Sequence, residues 1–285
     1  MPQFLLRRLA FAILLVVGVA SASFALVHLA PGDFYTEFGP SADRARIEAE
    51  RHAAGLDRPF AEQYFSWLAR VVRLDFGQSL KFQRPVRGLV VERAVNTGVL
   101  GLLALLLATF IGIPLGVFTG SRRGGLLPEL VRAGSMALLA VPPLVGVLAL
   151  TALGARAGWL APAGANAANL LVPALALALP SAAMLERMQS QAIREALGER
   201  FIRAAVARGL PREALVWKHA LRVALAPIVG IYGVIAGTLI SGSFIVEIVA
   251  DWPGLGVLMA DALRSHDIFL VAGCAAAVSV LLAIA

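Results

Sequence analysis

The chain has 285 residues, of which 59% are hydrophobic and 15% are charged, and its mean hydropathy is +0.80. A soluble fold of this length would not bury so much apolar surface, so the composition excludes a soluble globular protein and indicates an integral membrane protein. The net charge of +7 does not indicate nucleic-acid binding, because the basic residues lie mainly beside apolar segments, where they set membrane topology.

Six segments free of Asp, Glu, Lys and Arg are long enough to cross a hydrocarbon core of ~30 Å. In chain order they are Leu9–Leu29, Thr97–Thr119, the stretch between Arg132 and Arg156, Asn169–Leu185, Val223–Val246 and Ile268–Ala285. The chain ends within the last segment, and we expect an intact sixth helix to continue further. Charged side chains inside a membrane mark ion pathways, so these segments argue against a transporter driven by its own ion coupling.

Basic residues near the ends of membrane helices stay in the cytoplasm. They precede the first segment, lie between the second and third, and are densest between the fourth and fifth, where eight fall from Arg187 to Arg222. Both chain termini are therefore predicted to be cytoplasmic. The Arg7–Arg8 pair and the Ala20–Ala22 triplet also fit a cleaved signal peptide, but the length of the first apolar segment favours a retained helix.

The segments predict an N-terminal transmembrane helix over 1–30, an extracytoplasmic loop over 31–96 and a core transmembrane domain over 97–285. Within the loop, Ala42–Ala54 and Pro59–Val72 are predicted to form short helices. The second carries an aromatic and apolar stripe of Phe60, Tyr64, Trp67 and Leu68. This stripe fits packing against the transmembrane helices, and it also fits contact with a soluble delivery protein.

Helix breakers interrupt several of the apolar segments. They are Gly112, Pro114 and Gly116 in the second, Pro142 and Pro143 in the third, and Pro173 and Pro180 in the fourth. Such breaks are tolerated in lipid where neighbouring helices or a water-lined cavity satisfy the backbone, so they indicate a bundle with an internal path. In the fifth segment, Gly233 and Gly237 form a GxxxG pair that predicts close helix contact.

No sequence of the form G-x-x-x-x-G-K-[ST] is present, and the only lysines are Lys81 and Lys218. A phosphate-binding loop of the usual kind needs that lysine, so this chain is not expected to hydrolyse ATP. Cys274 is the single cysteine, which excludes a disulfide framework and a cysteine-based metal site. We therefore predict no catalytic residues, no metal site and no cofactor bound by this chain. Its energy must come from another protein.

The segment 191–222 between the fourth and fifth apolar segments, which we call the coupling loop, predicts helix, turn and helix. Ile193, Leu197, Phe201 and Ala204 or Ala205 are predicted to line one face of the first helix. Gly209 suits the left-handed conformation that ends a helix, and Pro211 suits the start of the next. Arginines surround the apolar edge at positions Arg203, Arg208, Arg212 and Arg222. An edge of this kind suits insertion into a cleft on a partner protein.

The sequence Ala204-Ala205-x-x-x-Gly209 resembles the EAA loop of permease subunits of ATP-binding-cassette importers. Arg203 stands where that motif usually has glutamate, a departure common in the dipeptide, oligopeptide and nickel permease group. The chain also resembles the B-type subunit of that group in other stretches: LAPGD from Leu29, GLDRPFAEQY from Gly55, DFGQSL from Asp75, RPV from Arg84, GIPLGV from Gly112, HALRVALAP from His219, and SGSFIVEIV with WPGLG from Ser241 to Gly256.

The resemblance implies an all-α polytopic membrane protein with six transmembrane helices and a type I ABC importer permease fold. It implies a heterodimer with a second permease in a bacterial plasma (inner) membrane, two cytoplasmic ATPases that bind ATP and Mg, and an extracytoplasmic solute-binding protein. The loop that contacts the ATPase would be Arg203, Ala204, Ala205, Arg208, Gly209 and Leu210. The imported solute would be a peptide or a related small molecule, with dipeptides, oligopeptides, chelated nickel and glutathione-like solutes all open.

Two alternatives stay open from the residues. Glu247, Trp252, Pro253 and Gly254 fit an outer gate or a binding-protein contact, and equally a turn whose tryptophan anchors at the membrane interface. For the whole chain, a membrane scaffold or sensor that docks a cytoplasmic partner without transport is the alternative to a permease.

Overall fold

A computed structural model describes residues 2–32, 34–37, 44–122, 124–158 and 167–285. Throughout these ranges the regular structure is helical, and the only β-type pairing there is an isolated bridge between Gln78 and Pro85. The predicted all-α class is confirmed. The helices are α1 Pro2–Leu29, α2 Arg44–Ala53, α3 Phe60–Val71, α4 Val86–Ser121, α5 Leu126–Ala140, α6 Pro143–Arg156, α7 Ala167–Gly198, α8 Arg200–Ala207, α9 Arg212–Ala214, α10 Leu221–Val229, α11 Tyr232–Val249, α12 Leu255–Arg264 and α13 Ile268–Ile284, with a 3-10 turn at Phe34–Glu37 and a π-helical stretch at Leu215–Ala220.

Apolar helices lie at all six predicted positions in the described chain, but only four of them qualify as single spans, or five if a bent pair counts as one, and their bounds differ from the prediction. Four helices are long and apolar enough to span a membrane: Leu6–Leu29 within α1, Val86–Ser121, Asn169–Gly198 and Tyr232–Val249. The third segment is the pair α5 and α6, bent by 108°, and the sixth is the shorter apolar helix α13. The second helix starts at Val86 rather than Thr97, and the fourth runs on to Gly198, because a helix can continue into charged sequence once it leaves the lipid.

The bend in the third segment lies at Val141, whose backbone is extended at φ −79° and ψ 122°. Pro142 and Pro143 cause it, because a residue before proline is pushed out of the helical region. The fifth segment, predicted over Val223–Val246, is divided at Gly230 and Ile231 between α10 and α11. Its first part therefore belongs to the helix that leaves the coupling loop.

The chain forms two compact units, Met1–Thr97 with Pro253–Ile284, and Gly98–Trp252 with Ala285. In the first unit α1 packs along α13, and α3 packs against α1. The rings of Phe24 and Trp67 stack at 4.8 Å between centroids, and the Tyr64 hydroxyl donates to Ser21 Oγ at 2.9 Å. Trp67 is fully buried. The stripe on α3 thus packs against the first transmembrane helix, as the packing interpretation predicts.

A buried carboxylate fixes the loop that precedes α4 in the same unit. Asp267, at the start of α13, accepts hydrogen bonds from Ser79 Oγ at 2.6 Å and from the backbone N–H groups of Lys81 and Leu270 at 3.1 Å each. Three donors satisfy this carboxylate away from water, which is the condition for burying it. The DFGQSL stretch is therefore held against the start of α13.

In the second unit α7 is the central helix, with α5, α6, α10 and α11 packed around it. A row of glycines on α4, Gly112, Gly116 and Gly120, lies against its surface. A Cβ on Gly116 would lie 2.6 Å from the Cβ of Gln189 and 2.7 Å from the carbonyl oxygen of Glu186, so no larger residue fits there without movement.

The prediction that Gly112 and Gly116 break the second helix is wrong: α4 is continuous through Pro114, and its glycines allow close packing. Likewise α7 is continuous through Pro173 and Pro180.

Candidate functional site

The coupling loop turns sharply at Gly209. α8 ends at Ala207, and Gly209 has φ +76°, the left-handed region that favours glycine. Its N–H donates to the Val206 carbonyl at 2.9 Å, and the N–H of Leu210 donates to the Ala205 carbonyl at 3.3 Å. These two bonds define a Schellman motif. The helix, glycine turn and second helix are confirmed, with Pro211 directly before α9.

The predicted apolar face of the loop is partly wrong. The first helix is not continuous from 191 to 208, because α7 ends at Gly198, Glu199 is not helical and α8 begins at Arg200. The break shifts the helical phase. Ile202 and Ala205 are therefore the buried residues of α8, while Phe201 and Ala204 are exposed.

The buried side of α8 attaches the loop to the second unit. Ile202 and Ala205 are each 4% exposed. Ile202 belongs to a cluster that joins Val117 of α4 to the C-terminal end of α7 and to the helical segment that follows the turn. The remaining buried members of this cluster are Ala192, Ile193, Ala196, Val216, Ala220 and Ala224. The helix that ends in the turn at Gly209 therefore packs against other helices of this unit, so the turn does not belong to an isolated loop.

The exposed part of the loop presents apolar groups and arginines that form no salt bridge with any described residue. Phe201, Val206 and Trp217 are 40%, 55% and 53% exposed. The surrounding arginines are all exposed, and none forms a salt bridge with any residue the structure describes; they are Arg203, Arg208, Arg212 and Arg222. Among the predicted docking residues, Gly209 is exposed and Leu210 is half-buried. We call Phe201, Val206 and Trp217 with these four arginines the docking face.

Polar contacts meet at the C-terminal end of α4, and sequence reasoning missed them. Arg212, one residue after Pro211, donates from Nη2 to the Ser121 carbonyl at 2.8 Å. Arg132 of α5 donates from Nη2 to the Thr119 carbonyl at 2.7 Å. The Thr119 hydroxyl donates to a carboxylate oxygen of Glu186 on α7. The only sequence signal is that Thr119 and Glu186 stand at the edges of predicted apolar segments.

The predicted outer residues are divided between the two units. In the second unit Glu247 is fully buried and Trp252 is 5% exposed, and the Trp252 N–H donates to the Glu247 carbonyl at 2.9 Å. In the first unit the Pro253 carbonyl accepts from Asn96 Nδ2 at 2.7 Å, and Gly254 precedes α12 in an extended conformation. Trp252 is part of its unit's core. The gate and contact roles stay predictions.

Comparison with known proteins identifies the family. Residues 112–285 match the family described as binding-protein-dependent transport system inner membrane component, and residues 1–101 match the N-terminal family of such membrane components. The chain belongs to this family. It is a permease subunit of an ATP-binding-cassette importer, a multi-pass inner-membrane protein and a transporter component rather than an enzyme.

Curated relatives match the permease over nearly its whole length. It is 32% identical to the dipeptide transport system permease protein DppB of Escherichia coli (strain K12), over 96% of this chain and 91% of the relative. It is 32% identical to the oligopeptide transport system permease protein AppB of Bacillus subtilis (strain 168), over 94% and 89%. It is 31% identical to the glutathione transport system permease protein GsiC of Escherichia coli (strain K12), over 94% and 88%.

Proposed function

We propose that this permease pairs with a second permease and docks two cytoplasmic ATPases, and that it imports peptides or related small solutes delivered by an extracytoplasmic binding protein. ATP and Mg are held by the ATPases. Both chain termini face the cytoplasm, as does the coupling loop. The observation that carries the proposal is the docking face: exposed apolar side chains, and arginines without a salt-bridge partner among the described residues, around a hydrogen-bonded glycine turn.

The docking face suits a protein cleft for energetic reasons. Phe201 and Trp217 leave much of their apolar surface in water, and burial of that surface would contribute about 25 cal/mol per Å². Aromatic residues and arginines are the side chains that dominate binding at protein interfaces. Because Arg203 and Arg208 have no salt-bridge partner among the described residues, an acidic cleft would supply one. The turn is preorganised, so little conformational entropy is lost on docking.

Nucleotide-driven closure of the ATPases would move the docking face and, with it, the membrane helices. The apolar cluster around Ile202 links α8 to α4 and α7, so a displacement of the turn acts on both helices. Outward-facing and inward-facing arrangements would then alternate with ATP binding and product release. Selection of solute rests with the binding protein, and the peptide class is supported by relatives named for dipeptide, oligopeptide and glutathione transport.

The test is co-purification of the ATPases with tagged permease, together with uptake into proteoliposomes. Gly209→Pro should release the ATPases, because proline requires φ near −65° where the turn has +76° and removes the bond to Val206. Gly209→Asn is the matched control, since asparagine tolerates left-handed backbone. Arg203→Glu should leave membrane insertion intact and weaken assembly.

Uptake is measured with a defined mixture of dipeptides, tripeptides and glutathione, read by mass spectrometry in the presence of the binding protein and ATP. Import that needs the ATPases supports a permease of the peptide class, whereas a scaffold or sensor would import nothing. Normal ATPase association and normal uptake in Gly209→Pro would refute the docking role. Import of none of these solutes by the intact assembly would refute the solute class.

A further inference from the structure

We propose that the end of α4 and the residue after it, 119–122, form the junction that transmits movement of the coupling loop to the membrane helices, and that Thr119, Glu186 and Arg212 are positioning residues for transport. This inference rests on the proposed function. It concerns contacts inside the permease rather than its contact with the ATPase.

The end of α4 is held by arginines from two other elements. The last carbonyls of a helix lack intrahelical partners, and cationic side chains stabilise them. Arg212 donates to the Ser121 carbonyl at 2.8 Å, and Arg132 donates to the Thr119 and Arg122 carbonyls at 2.7 and 3.2 Å. Arg212 opens the helix after the docking turn, so this side chain joins the turn directly to the end of α4.

A buried hydrogen bond joins the same turn to α7. Thr119 is fully buried and Glu186 is 2% exposed, and the threonine hydroxyl donates to the glutamate carboxylate. Since a hydrogen bond to a charged group away from water is strong and directional, it fixes the register of the two helices. A displacement carried by Arg212 into α4 therefore passes to α7 at this point.

The seam between α4 and α7 makes the pair move together. A Cβ on Gly120 would lie 2.5 Å from the Ser190 carbonyl oxygen, and one on Gly112 would lie 2.6 Å from that of Ala182. Helices whose backbones approach as closely as those of α4 and α7 interlock. A packed core of this kind switches between discrete arrangements rather than deforming continuously.

The seam also carries an unpaired polar group. The amide oxygen and nitrogen of Gln189, which lies against Gly116, are buried and have no hydrogen-bond partner among the described residues. A buried amide without partners is unfavourable. A second register of α4 and α7 that gave this amide a partner would lower that cost.

Thr119 provides the decisive test because its burial prevents any direct contact with the ATPase. The assay uses the complete importer with both permeases, the ATPases and the binding protein in proteoliposomes. It measures ATP hydrolysed and solute imported from the mixture of dipeptides, tripeptides and glutathione. The readout is solute imported per ATP, with ATPase co-purification measured on the same preparations.

Thr119→Val keeps the shape of the side chain and removes the hydroxyl. We expect it to retain the ATPases and to lower the solute imported per ATP about tenfold. That change corresponds to the lower end of the free-energy range for a hydrogen bond to a charged group. Thr119→Ser restores the hydroxyl and should restore the ratio. Glu186→Gln keeps an acceptor oxygen and should also preserve most of it. Arg187→Gln removes a charge from the adjacent exposed position, whose side chain bonds to no residue that the structure describes, and is the matched control.

The outcomes separate the two proposals. If the ATPases bind neither wild-type permease nor its variants, the docking proposal fails. If they bind all of them and Thr119→Val imports as much solute per ATP as wild type, the junction is refuted. Loss of import equally in Thr119→Val and Thr119→Ser also refutes it, because the hydroxyl would then not be the active group.

Discussion

The closeness of α4 and α7 leads to a sharp prediction for Gly116→Ala. The new Cβ would lie 2.6 Å from the Gln189 Cβ and 2.7 Å from the Glu186 carbonyl oxygen, roughly 1 Å nearer than favourable carbon contacts. The oxygen belongs to the backbone and cannot rotate away. Overpacking of this kind costs about 1–3 kcal/mol. The helices must separate, and the cost should appear as reduced stability.

Gly101→Ala on the same helix is the control, because nothing lies within 4 Å of its added Cβ. Both variants gain the helix preference of alanine over glycine, about 1 kcal/mol, so their difference isolates the clash. A difference of about 2 kcal/mol corresponds to roughly 4–8 °C in midpoint for a unit of this size. Thermal unfolding of the purified permease in detergent measures it. Equal midpoints for the two alanine variants would refute the close seam.

Two further changes test buried polar groups by the same unfolding assay. Gln189→Leu removes an amide without partners among the described residues, so the midpoint should rise by the equivalent of about 1–3 kcal/mol; a fall would mean that the amide is bonded. Asp267→Asn keeps one acceptor oxygen and turns an amide N–H₂ toward the donors of the other, which are either the Leu270 N–H or the Ser79 hydroxyl and Lys81 N–H; it should cost about 2 kcal/mol. Asp261→Asn is the control, because it loses only a partly exposed ion pair with Lys81 at 3.1 Å, and it should cost under about 1 kcal/mol. An equal loss of stability in the two asparagine variants would contradict the anchoring role of Asp267.

The membrane segments were predictable from sequence because lipid imposes a strict rule on them. Charge cannot lie in hydrocarbon without cost, so charge-free length finds the spans. The same rule says nothing about where a helix ends once it reaches water. For that reason α4 begins at Val86, before the predicted start at Thr97. In the same way α7 ends at Gly198, beyond the predicted end at Leu185.

The turn of the coupling loop at Gly209 was predictable because it depends only on residues that are neighbours in the sequence. Gly209 is required by a left-handed backbone, and Pro211 starts the next helix within two residues. The buried face of α8 was not predictable, because the break at Gly198–Glu199 resets the helical phase and no nearby proline announces it. Because of this break Phe201, contrary to the prediction, does not share a face with Ile193 and Leu197, and Ile202 is the buried residue instead.

The contacts at the end of α4 lie beyond sequence patterns for a different reason. Thr119 and Glu186 are 67 positions apart, and Arg212 and Ser121 are 91 apart, so only the fold brings them together. Yet their location follows from the composition of the segments. A subunit that keeps charge out of its predicted spans places its charged contacts, such as those of Arg132, Arg212 and Glu186, where the spans end. On the proposed function, force from a cytoplasmic partner would enter at those ends, so the residues that bound the apolar segments are the ones placed to receive it and to pass it to the glycines of α4 that pack against α7.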